Sequence, residues 1–149
     1  MAEFPADPML SKSLIASEKY KCSEEVLTII AMLSAGGAIF HRPKDRAVHA
    51  DNAHKNFWAK AGDHLTLMNV YNHWVESDYS VQWCFENYVQ HRMMKRARDV
   101  RDQLEGLMDR VEIEMIKSED DVAIRIIFKS YIHFLLKYFI VKDVFEYPF

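Results

Sequence analysis

Five cationic side chains, Arg92, Lys95, Arg96, Arg98 and Arg101, fall within ten positions of the segment Gln90–Val111, QHRMMKRARDVRDQLEGLMDRV. On a helix of ~3.6 residues per turn, Met93, Ala97, Val100, Leu104, Leu107, Met108 and Val111 collect on one apolar stripe. Arg92, Lys95 and Arg96 flank that stripe on one side, Arg98 and Arg101 on the other. Such a helix can pack into a core while carrying positive charge along both shoulders, a layout suited to a polyanion such as RNA. Asp99, Asp102, Glu105 and Asp109 dilute the charge toward the C-terminal half, which fits the other reading, a solvated helix face.

The elements that must position this helix follow from composition. A chain of 149 residues, half of them hydrophobic, fits one domain with a substantial core. The net charge of −3 leaves any polyanion binding to a local surface. Four glycines and four prolines favour long helices over hairpins. Cys22 and Cys84 sit in apolar sequence with no signal peptide ahead of them, and are expected to be reduced, buried thiols of an intracellular protein.

Along the chain, Asp7-Pro8 opens a helix to about Tyr20. Ser23 with Glu24 and Glu25 opens a second, which stops at Gly36-Gly37. Ala38–Val48 is a connector, irregular around Pro43. A third helix is expected from about Ala47 to Ala59. Gly62 breaks the chain and Asp63 caps a fourth helix through Trp74. A short aromatic helix starts at Ser77 or Asp78, and the basic helix follows. After Glu114 the composition changes: Val122–Val141 is nearly all apolar, with Arg125, Lys129, His133 and Lys137 at every fourth position. Four polar groups in a bilayer core are costly, so an amphipathic helix is expected rather than a membrane span.

Several chemistries find no motif. Neither a phosphate-binding loop nor a dinucleotide fingerprint occurs, so the chain alone is not expected to hydrolyse ATP. His49 and His54 are five residues apart, off a shared helix face, and the other histidines are scattered, which argues against a zinc site. No nucleophile–base pair is recognisable, so no catalytic residue is assigned.

The residues do resemble a family. Ala2-Glu3-Phe4-Pro5 with Asp7-Pro8, Cys22-Ser23-Glu24-Glu25, Met32-Leu33-Ser34 and Phe40…Arg42-Pro43-Lys44 resemble the helicase-associated region of DEAH-box RNA helicases. So do Gly62-Asp63-His64-Leu65-Thr66-Leu67…Asn69-Val70-Tyr71 and Trp83-Cys84…Asn87-Tyr88. Arg92…Arg96-Ala97…Asp99-Val100-Arg101…Gln103-Leu104 completes the likeness, which runs from Met1 to about Glu112. Within the family, His49–Ala53 and Lys95–Arg101 look most like the spliceosomal ATPase type that acts just before the first splicing reaction.

The resemblance implies an all-α helical bundle of the ratchet type over residues 8–113. Residues 1–7 would close a winged-helix domain, and 114–149 would form a divergent tail where the family places a barrel. It also implies a fragment of a nuclear splicing helicase whose ATP and magnesium sit in RecA-like domains elsewhere, with no cofactor in this chain. The implied partners are those motor domains, single-stranded RNA, and an activator or other spliceosomal proteins, with no membrane. Candidate RNA contacts are Arg92, Lys95, Arg96, Arg98 and Arg101, together with Gly62, Asp63 and His64. That last trio also reads simply as a loop glycine followed by a helix cap. Two other functions stand beside RNA contact: a scaffold packing on RecA-like or activator domains, and a truncated product without function.

Overall fold

The computed structural model describes residues 17–18, 21–35, 38–60, 62–110 and 112–118. The helix expected over Asp7–Tyr20 lies outside them except for Ser17 and Glu18, which are helical. The proposed winged-helix remnant, Gly36-Gly37, Val111 and the amphipathic stretch Val122–Val141 also lie outside.

The architecture is all-α. Among the described residues five helices follow in the order α1 (Ser23–Leu33), α2 (Ala47–Lys55), α3 (Asp63–Glu76), α4 (Val81–Glu86) and α5 (His91–Arg110), with a 3₁₀ turn at Lys44–Arg46 leading into α2. Among the described residues there is no strand, and one isolated antiparallel bridge joins Phe40 to Val89.

Beyond the first turn of α1, SEEVLTIIAML, every residue but Thr28 is apolar, and such a helix belongs in the interior. It is the central element, packed on both α5 and α3. Val26, Leu27, Ile29, Ile30 and Met32 are fully buried. Each such side chain stabilises the fold by roughly 1.5–3 kcal/mol relative to exposure. The facing stripe of α5 behaves as its periodicity predicts: Met93, Ala97, Leu104 and Met108 are buried, with Val100 and Leu107 packed partly buried against the core. Met94, outside the expected stripe, is also fully buried.

Three boundaries differ from expectation. The third helix ends at Lys55 rather than near Ala59, because the chain leaves it to turn Phe57 into the core, 2% exposed, against His73 and Trp83. Asn69 Nδ2 donates to the Phe57 carbonyl at 3.1 Å, and the Ala59 N–H donates to Thr66 Oγ1 at 3.0 Å, so the early ending leaves those backbone groups paired. Gly62, not Asp63, is the N-cap of α3, at φ +127°, a conformation that disfavours any side chain. The short aromatic helix starts after Ser80, whose hydroxyl accepts from the Trp83 N–H at 3.1 Å. Ser77 and Asp78 instead end α3, and Asp78 and Tyr79 take consecutive left-handed conformations there.

After α5 the chain returns along the N-terminus of α1. The Glu24 N–H donates to the Ile116 carbonyl at 3.1 Å, which satisfies one of the amides a helix start leaves unpaired. Ser23 Oγ accepts from the Ile116 N–H at 2.7 Å and donates to the Glu114 carbonyl at 2.6 Å. The Ser118 N–H donates to Glu25 Oε1 at 2.6 Å. Ser23 is fully buried, so Ser23→Ala strips a backbone donor and an acceptor of their partner. The expected cost is ~1–3 kcal/mol. Amide hydrogen exchange checks it: the Ile116 amide should lose protection in the variant, and unchanged protection would mean the segment is held by something else.

Candidate nucleic-acid interface

The basic helix is sorted by its packing into two unlike faces. On the α3 side, Arg98 lies over aromatic rings, its guanidinium carbon 5.2 Å from the Tyr79 centroid and 5.8 Å from that of Trp74. Arg101 is 16% exposed and held from several directions. Its Nε donates to Thr28 Oγ1 at 3.1 Å, its Nη1 meets Glu105 at 3.2 Å, its Nη2 lies 3.9 Å from Glu24, and Tyr71 stacks at 5.8 Å. These two arginines tie α5 to α3 and α1.

On the opposite shoulder Arg92, Lys95 and Arg96 are exposed. Arg96 Nη1 donates to the Ala35 carbonyl at 3.2 Å, placing positive charge at the C-terminal end of α1, where the helix dipole favours it. Arg92 and Lys95 have no ion pair among the described residues. This shoulder is where positive charge faces solvent.

The Gly62-Asp63-His64 trio starts α3. Asp63 is exposed in the first turn, where its carboxylate complements the positive end of the helix dipole. The Thr66 N–H and hydroxyl both donate to the Gly62 carbonyl. Burial of the His64 ring pushes its pKa down to about 4, so the ring is neutral at pH 7. His54, 3% exposed, is likewise held below its ordinary range by burial; its Nε2–H donates to the Tyr88 carbonyl at 2.9 Å. His49, by contrast, is exposed. Among the described residues no group of three or more His, Cys, Asp or Glu could hold a metal ion. Cys22 and Cys84 are both buried, and burial pushes the Cys84 thiol up to about 11, where it is unreactive at neutral pH.

Two concavities lie beside these faces. A cleft of about 390 Å³ between α1 and α3 is lined by Glu24, Glu25 and Glu76 as well as Arg101 and Lys117. Burial raises the Glu25 pKa, and its Oε2 finds no hydrogen-bond partner among the described residues. Three carboxyl groups make this cleft a poor seat for phosphate. The second, a groove of about 480 Å³, runs between the Phe40–Arg46 connector and the α4–α5 junction, lined by His41, Pro43, Arg46, Phe85, Tyr88 and Gln90, among others. The backbone pairing His41 N–H to Tyr88 carbonyl, 2.7 Å, and Gln90 N–H to Ile39 carbonyl, 2.8 Å, fixes its two walls together. Nothing in the spacing of the sequence marks this groove, because its walls, His41–Arg46 and Cys84–Gln90, lie far apart along the chain. The exposure of Phe85 beside the buried Cys84 is visible only once the chain is folded.

No described helix is long and apolar enough to cross a membrane. Compared with known families, residues 7–67 of the chain match the one described as helicase associated domain (HA2), ratchet-like. The matched stretch takes in α1, α2 and the start of α3; α4 and α5 lie beyond it.

Proposed function

We propose that this chain is a helicase-associated module from the C-terminal region of a DEAH-box RNA helicase, acting in nuclear pre-mRNA splicing and forming one wall of a single-stranded RNA channel. The match to the ratchet-like helicase-associated family supports the coarser part of that reading. The observation that carries RNA contact is the solvent-facing shoulder of α5, where Arg92, Lys95 and Arg96 project from a helix whose other side is locked in the core. A rigid helix with cations aimed outward is what backbone contact to a single strand requires. Arg98 and Arg101 serve the wall by anchoring it. Neutral His64 and the capped turn at Gly62 position α3. ATP and magnesium chemistry belongs to motor domains that supply the stepping force.

The test is fluorescence anisotropy of the purified chain with a labelled oligouridine RNA at two salt concentrations. Binding should be weak, indifferent to sequence, and weaker in higher salt, since each neutralised phosphate releases counterions. Arg92 and Lys95 changed together to Glu should lower affinity roughly tenfold and flatten the salt dependence. A folded chain with no affinity for RNA would sink the reading and leave the scaffold function, in which the same residues matter for assembly with RecA-like or activator domains.

A further inference from the structure

The groove between the connector and the α4–α5 junction combines features that a backbone-binding surface does not need. Phe85 is 77% exposed, an unusual position for a large aromatic on a helix whose neighbour Cys84 is 1% exposed. Tyr88 lines the same groove half-buried, its backbone in a left-handed conformation at φ +55°. Gln90 contributes an amide at the junction with α5, two residues before the exposed Arg92. On the other wall Arg46 is exposed, as is Lys44 beside it, and neither has an ion pair among the described residues. Asp51, the nearby acid on α2, is occupied by Arg42 through two hydrogen bonds of 2.8 and 3.0 Å. Asp45 is the acid among the lining residues, set against Arg46 and His41. The volume falls within the ~300–1,000 Å³ of small-ligand pockets.

Aromatic side chains at a groove lined also by an exposed arginine, Arg46, are the elements of single-strand recognition: bases stack, and the cation meets the backbone. We infer that this groove is a stacking subsite for an unpaired base of single-stranded RNA, with Phe85 and Tyr88 as its ring faces and Arg46 as its phosphate contact. The inference rests on the reading that the chain binds RNA along α5, and extends the path from the α5 shoulder past Gln90 to the α2 side. The sequence tolerance expected of the whole surface follows, because every base presents a π-face.

The test uses the whole chain and an oligouridine RNA carrying one 2-aminopurine, with three variants: Phe85→Ala, Phe85→Leu and Phe85→Tyr. All alter an exposed side chain, and circular dichroism confirms the fold of each. Binding of the parent should quench 2-aminopurine fluorescence. Phe85→Ala and Phe85→Leu should each weaken binding roughly tenfold and remove the quench, while Phe85→Tyr restores both. If Phe85→Leu binds as the parent does, the contact is merely apolar and the stacking site is overturned. Parent-like binding by Phe85→Ala, with affinity still lost on reversing Arg92 and Lys95, overturns the subsite alone and leaves the groove to a protein partner. No binding by the parent removes the RNA reading and this inference together.

Discussion

Trp74→Ala should cost about 3–5 kcal/mol of folding stability, the range for truncating a large buried aromatic. The indole is fully buried in α3. It meets Tyr71, Tyr79 and His91 edge-on, with centroids 6.0, 5.0 and 6.0 Å away, and Arg98 lies over it. Truncation therefore opens a cavity at the point where α3 meets α5 and removes the ring on which Arg98 rests. Trp74 Nε1 finds no hydrogen-bond partner among the described residues, so part of the indole's gain is already offset by an unsatisfied donor. Trp74→Phe discards that donor while keeping an aromatic face, and should cost under about 2 kcal/mol. Urea unfolding followed by circular dichroism distinguishes the two. Equal losses for both variants would mean the N–H is satisfied in solution. A loss below about 1 kcal/mol for Trp74→Ala would mean that the α3–α5 contact is not a stability centre.

The same locality explains what could be read from the sequence. The α5 face was legible because its spacing alone fixes which side chains share a stripe. The division of the five cations into two shoulders was also legible. Their fates were not. Arg101 becomes a half-buried tether only because Thr28 and Glu24, more than 70 residues away, arrive beside it. The start of α4 was misplaced because Ser77, Asp78 and Ser80 are all competent caps, and the choice was made by a left-handed turn at Asp78-Tyr79 that sets the Tyr79 ring on Trp74. The docking of Ile113–Ser118 on α1 depends on hydrogen bonds spanning more than 90 residues, for which no local pattern exists. The groove beside Phe85 is of the same kind: both its walls were visible, but their meeting was not.

Those fates separate two uses of charge. Arg98 and Arg101 give up solvent to hold helices together, and truncating either one would loosen the packing of α5 on α3 and α1. Arg92 and Lys95 make no such bargain; their removal should leave the fold unmoved. A functional test confined to α5 therefore has to avoid Arg98 and Arg101, or a loss of binding will report a loss of structure.

The chain should lose about 2 kcal/mol of stability between pH 7 and pH 5, and His64 should be the main cause. Its folded pKa lies near 4 against an ordinary 6.5, through burial. Between those values the unfolded chain binds a proton that the folded chain refuses, so stability present above pH 6.5 drains away as pH falls toward 4. His54, depressed by burial as well, acts in the same direction. Glu25 opposes them. Its raised carboxyl takes up a proton in the folded state before the unfolded state does, so its contribution grows as pH falls toward its ordinary 4.5. The histidines dominate because their window opens two units higher. His64→Phe, which keeps a ring in the buried site and removes the titration, should flatten most of the slope in melting temperature between pH 7 and pH 5. The same variant at pH 7 should bind RNA as the parent does, because a neutral buried ring has no charge to offer a phosphate. An unchanged pH slope would place the acid sensitivity elsewhere. Loss of RNA affinity in a variant that melts normally would return the turn at Gly62-Asp63-His64 to the binding surface.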